Sequence, residues 1–212
     1  MTIAPNAVNP KRIRRTLFGA CAIVVAVSAS LVAGCSSDSA QSASSTTAAV
    51  STTSGVKTAA AVGRSTPVSF DITSIKTAGP LISLGLNADG SVQVPADYRT
   101  AGWYQQGPAP GEQGSAVILG HVDSYQGEGV FFSLKKVKPG DLIDVTRADH
   151  KIAHFKVTDV RMYLKSEFPD QLVFGPRGGA TLQVVTCGGD FDQADKNYLS
   201  NVVVFSSLDS VT

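Results

Sequence analysis

The aromatic residues of this chain are concentrated in its last two thirds, and this limits where a hydrophobic core can form. Among the 212 residues, every Phe, Tyr and Trp except Phe18 lies between residues 67 and 212. Aromatic side chains contribute a large share of the apolar area that a folded core buries. We therefore expect one domain over residues 67–212, whose 146 residues are an ordinary size for a single domain.

Within this domain, short runs of β-favouring residues alternate with turn signals, which predicts strands. Ala153, Phe155 and Val157 alternate with polar residues, as in a half-buried strand. No long stripe of 3.6-residue period indicates a long helix, although Val130–Lys136 and Glu167–Val173 have the pattern of short helical turns. The predicted strands are Val68–Ile72, Leu81–Leu86, Ser91–Val94, Ala116–Gly120, Leu142–Thr146, Ile152–Val160, Thr181–Thr186 and Asn201–Phe205. About eight short strands suggest an all-β barrel or sandwich, and we favour a closed, mostly antiparallel β-barrel.

Residues 1–34 have the pattern of an export signal. They contain no acidic residue, carry four cations between residues 11 and 15, and continue as an uncharged apolar run to Gly34. The run is also long enough to span a bilayer as an uncleaved helix. The sequence Val32-Ala33-Gly34-Cys35 favours cleavage, because small residues before a cysteine resemble the lipobox of bacterial lipoproteins.

The lipobox resemblance implies a lipid anchor at Cys35. In that family the peptide before the cysteine is removed and the thiol carries a diacylglycerol, whose two chains give stable anchoring. We therefore predict a lipoprotein signal peptide over residues 1–34 and an extracytoplasmic protein tethered to the outer face of the cell membrane. Residues 35–66 are predicted to be a flexible linker, since 22 of the 31 residues from Ser36 to Thr66 are Ser, Thr or Ala.

The charge of the chain argues against nucleic acid as a partner. The whole sequence has a formal charge of +1, with 18 Lys and Arg against 17 Asp and Glu. Removing the four cations of the signal leaves 14 against 17, a charge of −3. A protein that binds a polyanion usually carries a basic surface, and this domain has no such excess.

Two predicted strand ends carry residues of complementary chemistry. His121 follows the apolar run Ala116–Gly120, and Cys187 follows Thr181–Thr186. Three cysteines, an odd number, argue against a disulfide framework, and a thiol in an exported protein is unusual unless it is used. A histidine close to a cysteine can lower the pKa of the thiol and produce a nucleophile for acyl transfer. On composition alone, a buried structural cysteine is the alternative.

A series of short motifs runs in order along residues 67–212. The motifs are Gly90–Pro95 (GSVQVP), Gly102-Trp103-Tyr104, Pro110-Gly111-Glu112, Val117–Asp123 (VILGHVD), Gly129–Phe132, Gly140-Asp141, Phe168-Pro169, Val185–Asp192 (VTCGGDFD) and Tyr198–Phe205. In this order they resemble a class F sortase, one of the cysteine transpeptidases and peptidases of Gram-positive-type cell envelopes. The resemblance covers nearly all of the predicted domain.

The resemblance implies an eight-stranded sortase β-barrel with Cys187 as the nucleophile and His121 as the proton-transfer residue. In the family, the thiolate attacks a carbonyl of a sorting-motif peptide in an exported protein and forms an acyl-thioester. An amine of peptidoglycan or of a protein, or water, then resolves the thioester. Neither a metal nor another cofactor is expected.

The sequence departs from the sortase pattern in two places. The usual Thr-Leu-x-Thr-Cys is changed to Gln183-Val184-Val185-Thr186-Cys187, which keeps only the last two residues. Sortases usually carry an arginine near the start of the last strand, and no arginine follows Arg177 here. Asn201, Thr186 and Lys196 are the candidates for binding an oxyanion or positioning the substrate, and Arg161 or Arg177 could fold into the site. Asp123, two residues after His121, could orient the histidine ring or cap a loop.

Two other readings stay open. The missing arginine is compatible with a sortase-like lipoprotein that binds envelope peptides or partners without turnover. Other envelope cysteine enzymes fit less well, because papain-like peptidases place cysteine before histidine in the chain. The Ser-His-Gly-Cys signature of L,D-transpeptidases is absent at Val185-Thr186-Cys187. A metal site at His150 and His154 is disfavoured because no cluster of ligands accompanies them.

Overall fold

The computed structural model describes residues 59–212, and within them the chain forms a closed eight-stranded barrel with strand order β1-β2-β3-β4-β9-β10-β8-β7. A separate two-stranded sheet pairs β5 with β6. The strands are β1 Pro67–Ile72, β2 Thr77–Leu84, β3 Ala101–Tyr104, β4 Gly114–Gly120, β5 Asp123–Ser124, β6 Gly127–Glu128, β7 Leu142–Arg147, β8 Ile152–Leu164, β9 Ala180–Asp192 and β10 Asn197–Val211. The predicted signal peptide, most of the predicted linker, and Cys35 lie outside the described residues.

The predicted barrel is confirmed. Six of its eight strand pairs are antiparallel, and the pairs β2–β3 and β4–β9 are parallel. Helical structure in the described range is limited to a four-residue helix, α1 Asp170–Val173, and to short 3-10 turns that include Leu134–Lys136 and Lys165–Glu167. No helix among residues 59–212 is long and apolar enough to cross a membrane.

One predicted strand is wrong, and three strands were missed: β3 of the barrel and the two-residue strands β5 and β6. Ser91–Val94 forms no strand, and its one bridge joins Val92 to Leu86. The missed barrel strand is β3, whose Ala-Gly start has low β propensity. Tertiary packing selects β3 because its Gly102 lies against Leu84: a Cβ at Gly102 would come within 2.5 Å of the Leu84 side chain.

The barrel has hydrophobic clusters on both faces of its wall. The inner cluster draws residues from nearly every barrel strand and includes Leu182 and Val184 of β9. The outer cluster contains Val185 and Cys187 of the same strand, because side chains alternate between faces. Phe168 and other residues of the segments between β2 and β3 and between β8 and β9 cover this outer cluster. Cys187 therefore lies on the outer wall, beneath two connecting segments.

Residues 59–66 contact the barrel through the buried side chain of Arg147. The Arg147 guanidinium is 1% exposed, donates hydrogen bonds to the carbonyl oxygens of Pro110 and Gly63, and forms an ion pair with Asp149 at 2.9 Å. The hydrogen bond from Arg147 lowers the pKa of the Asp149 carboxyl to about 2. Since Gly63 precedes the first strand, Arg147 connects the end of the predicted linker to the barrel.

We expect Arg147→Met to lower the free energy of unfolding by ~3 kcal/mol, because it leaves buried carbonyl groups without donors. Arg161→Met is the matched control, since Arg161 is 59% exposed in its pair with Asp159 and solvent screens that pair, so its loss should change stability little. Chemical denaturation of both variants measures the difference. Equal losses of stability in the two variants would contradict the assigned role of Arg147.

Candidate active site

The parallel ladder between β4 and β9 brings the two predicted catalytic residues together. The last paired residues of this ladder are Leu119 and Val185. Cys187 lies two residues beyond Val185 on β9, and His121 lies two residues beyond Leu119, as the first residue after the end of β4. Because neighbouring strands lie about 4.8 Å apart, the two backbone positions are near each other at the same end of the sheet. A Cβ at Gly120, just before the histidine, would come within 2.6 Å of the Phe131 ring, so this close packing requires glycine.

Strand β10 adds Asn201 on the other side of Cys187. The two residues are register partners in the antiparallel β9–β10 ladder, and both are 0% exposed. Neither Nδ2 nor Oδ1 of Asn201 has a hydrogen-bond partner in the described part of the chain. An unsatisfied buried polar group costs ~1–3 kcal/mol, so the amide is retained at a cost in stability. The Nδ2 group can donate a hydrogen bond to an oxyanion, and Nδ2 and Oδ1 together can pair with a peptide group of a bound substrate.

The other two sequence candidates are not part of this row. Thr186 precedes Cys187, so its side chain extends to the opposite face of β9, and the residue lines the same cavity as Cys187. Lys196 lies in the turn between β9 and β10 with φ = 50° and lines the cavity that contains His121 rather than the one that contains Cys187. Of the three candidates, Asn201 alone is the register partner of the cysteine.

The His121 ring is held by a backbone carbonyl group. Its Nε2 lies 2.7 Å from the carbonyl oxygen of Pro95. A carbonyl oxygen only accepts hydrogen bonds, so Nε2 carries the proton. The other nitrogen, Nδ1, is buried and has no hydrogen-bond partner among residues 59–212. Nδ1 is therefore the ring nitrogen left for proton transfer.

Asp123 holds Tyr198 rather than the histidine. The Tyr198 hydroxyl donates to the Asp123 carboxylate, and this hydrogen bond, together with burial, raises the pKa of Tyr198 to about 12. Tyr198 lines two cavities, one of about 900 Å³ that includes His121 and one of about 350 Å³ that includes Cys187. The Tyr198–Asp123 pair therefore lies where the two cavities meet.

The surroundings of the Cys187 thiol act on its ionisation in opposite directions. Burial raises the pKa of the thiol, and the negative charge of Asp123 acts in the same direction. The ammonium group of Lys165 opposes both, by its charge and by a hydrogen bond. Cys187 is present as a thiol, not in a disulfide.

Sequence reasoning missed three groups at this site: the Pro95 carbonyl, Tyr198 and Lys165. A backbone carbonyl carries no side-chain signal, and the other two are brought in by strand pairing that local patterns do not specify. Neither arginine considered from the sequence lines either cavity. Arg161 pairs with an aspartate on its own strand, and Arg177 donates to a backbone carbonyl of the nearby helix.

The arrangement suits acyl transfer through a thioester. It combines the Cys187 thiol, the Nδ1 atom of His121, and the Asn201 amide, which has no hydrogen-bond partner within residues 59–212. The three residues lie on, or directly after, three adjacent strands. Within residues 59–212, no group of three or more His, Cys, Asp and Glu side chains is placed to hold a metal ion.

Comparison with known proteins identifies the family. The sortase domain family model matches residues 71–209. The chain belongs to the sortase family. Solved sortases share the fold: sortase A of Listeria monocytogenes has a TM-score of 0.53 at 17% identity, covering 70% of this chain and 90% of its own. Sortase A of Corynebacterium diphtheriae, a lid mutant, has a TM-score of 0.53 at 19% identity over 70% of this chain and 73% of its own.

A sortase of a different class gives the same result. Sortase C2 of pilus island 1 from group B Streptococcus has a TM-score of 0.52 at 16% identity, covering 68% of this chain and 73% of its own. A search of curated protein sequences finds no significant match. Sortases are cysteine transpeptidases of the cell envelope, so family membership supports that general activity for this chain.

We expect Asn201→Leu to raise stability and lower sortase activity. The similar-sized apolar side chain removes two unsatisfied polar atoms from the core, which should stabilise the fold by ~1 kcal/mol. The same change removes the amide from the row beside Cys187. Thermal unfolding and single-turnover acylation measure the two effects. A variant that keeps wild-type acylation would show that the amide has no part in the reaction.

Proposed function

We propose that this protein is a class F sortase, anchored as a lipoprotein, that cleaves a sorting-type peptide through an acyl-thioester on Cys187. The observation that carries the proposal is the pairing of Cys187 with Asn201 on β9 and β10, with His121 directly after the end of the neighbouring strand β4. The ordered motifs around these residues support class F within the sortase family. The acceptor in the second step is an amine of peptidoglycan or of a protein, or water.

The first half-reaction uses the two ionisable groups of the site. Nδ1 of His121 accepts the thiol proton, and the Cys187 thiolate attacks the scissile carbonyl carbon. As the tetrahedral intermediate collapses, the C–N bond breaks and the departing amine takes the proton from Nδ1. The acyl group then remains on the sulfur as a thioester. General acid–base assistance of this kind contributes roughly 10²–10⁴-fold to the rate.

The second half-reaction reverses the same proton path. The incoming amine or water gives its proton to Nδ1 as it attacks the thioester carbonyl. The C–S bond breaks, and the sulfur recovers the proton from the imidazolium. The Asn201 amide is suited to donate a hydrogen bond to the oxyanion in both steps. The cavity of about 900 Å³ beside His121 has room for the acceptor.

Acylation of Cys187 tests this function directly. The full-length protein is incubated with a broad peptide library with and without an amine acceptor, and intact mass reports covalent adducts. We expect an acyl adduct that disappears in Cys187→Ala and is released as a new amide when the amine is present. His121→Ala should slow adduct formation by at least ~10²-fold.

Two outcomes would count against the proposed reaction. An adduct that persists in Cys187→Ala would place the nucleophile elsewhere. No adduct across a broad library, with the thiol intact and the protein folded, would favour a sortase-like protein that binds peptides without turnover.

The proposed anchor rests on Cys35 and the small residues before it. We expect metabolic labelling with a fatty-acid probe in the native host, and loss of the label in Cys35→Ala. Cys21→Ala is the matched control, because this cysteine lies inside the predicted signal and should not affect labelling. Labelling that persists in Cys35→Ala would contradict lipidation at this residue and favour an uncleaved membrane helix.

A further inference from the structure

The buried thiol of Cys187 needs a positive charge nearby if it is to ionise. Moving a thiolate out of water is unfavourable, and a cation close to the sulfur offsets that cost. The arginine that the family resemblance leads one to expect after Cys187 is absent. A permanent positive charge, in addition to the imidazolium that forms when His121 accepts the proton, would therefore come from another part of the fold.

Strand pairing brings the end of β8 to this position. Asn201 of β10 lies between Cys187 of β9 and Tyr163 of β8 in one continuous row. Lys165 follows Tyr163 by two residues and is the first residue of the 3-10 turn that follows β8. The lysine side chain therefore starts from the end of β8 that lies next to this row.

The ammonium group of Lys165 is held in place at the start of β10. Its Nζ donates a 2.7 Å hydrogen bond to Oδ1 of Asn197, the first residue of that strand. This contact fixes the end of an otherwise flexible side chain at the start of β10. The cation is therefore positioned in part by a neutral partner.

Other charged and titratable groups around the thiol come from several elements. Asp123 of β5 adds a negative charge that disfavours the thiolate, and Lys165 acts against it. Lys135, from the 3-10 turn before β7, and Asp190 of β9 line the same cavity as the cysteine. His121, directly after β4, and Tyr198 of β10 complete the set.

We propose that Lys165 is a catalytic residue that stabilises the Cys187 thiolate through its ammonium group. This role rests on the proposed function, and it assigns to β8 the positive charge that sortases usually supply from the last strand. The residue lies in the chain before the cysteine, at a position where the sequence gives no sign of catalysis.

The test measures the ionisation of Cys187 without requiring a substrate. Full-length wild type, Lys165→Met, Lys165→Gln and Lys165→Arg are alkylated with iodoacetamide over a range of pH. Peptide mass spectrometry follows the fragment that contains Cys187, so that Cys21 and Cys35 do not contribute. Lys156→Met is the control, because it removes an exposed lysine from the other end of the same strand. Thermal unfolding of each variant establishes that it is folded.

We expect Lys165→Met and Lys165→Gln each to shift the pH profile of alkylation upward by about one unit, which is about tenfold slower alkylation near neutral pH. Lys165→Arg should keep the wild-type profile, as should the Lys156→Met control. Gln can still donate to Asn197, so the loss of charge alone accounts for a shift in that variant. If Lys165→Met does not fold, Lys165→Gln decides the question.

Wild-type profiles in the folded Lys165 variants would overturn the proposal and leave Lys165 a structural residue that connects β8 to β10. A shift in Lys135→Met with none in Lys165→Gln would also overturn it. A shift in Lys165→Gln supports the proposal even if no peptide acylates the enzyme, since alkylation does not depend on turnover. In that case the proposed transpeptidase reaction would be contradicted, and the proposed Lys165–Cys187 interaction would still be supported.

Discussion

The parallel pairing of β4 with β9 is the contact on which the site depends. His121 and Cys187 are far apart in the chain, and each lies just beyond the last register pair, Leu119 and Val185. A shift of one residue in this register would move one of the two side chains to the other face of the barrel wall. The barrel fixes that register by burying Leu182 and Val184 on one face of β9 and Val185 on the other.

Polar groups at the site are kept at a cost to stability. Among the described residues, Nδ1 of His121 and the amide of Asn201 are buried without hydrogen-bond partners. Such groups are few in folded proteins, and a cluster of them beside a thiol is where a substrate would supply the missing contacts. Pro95 fixes the protonated nitrogen of the histidine through a backbone carbonyl. The site is thus held by backbone geometry more than by ion pairs.

The pKa of the Cys187 thiol depends on charged groups from distant parts of the chain that act in opposite directions. Burial and Asp123 disfavour the thiolate, and Lys165 favours it. Asp123 is also bound by the Tyr198 hydroxyl, so its carboxylate is tied to the boundary between the two cavities. Loss of Asp123 or of Lys165 would therefore change the ionisation of the Cys187 thiol, although neither residue is close to Cys187 in the sequence.

Local patterns in the sequence were enough to predict the barrel class and most of its strands, and they indicated the two residues that we propose carry the chemistry. Alternation, turn signals and strand-end placement are short-range features, which is why Cys187 and His121 could be named from them together with a family resemblance. The short strand β3 was missed because its Ala-Gly start is selected by packing against Leu84, not by propensity. The tertiary structure alone decided that Asn201 pairs with Cys187, that Nδ1 is the available nitrogen of His121, and that the charge of Lys165 acts on the thiol. Each of these depends on strand register or on a backbone carbonyl from a distant segment. Neither the register nor the position of that carbonyl can be inferred from the residue types along the chain.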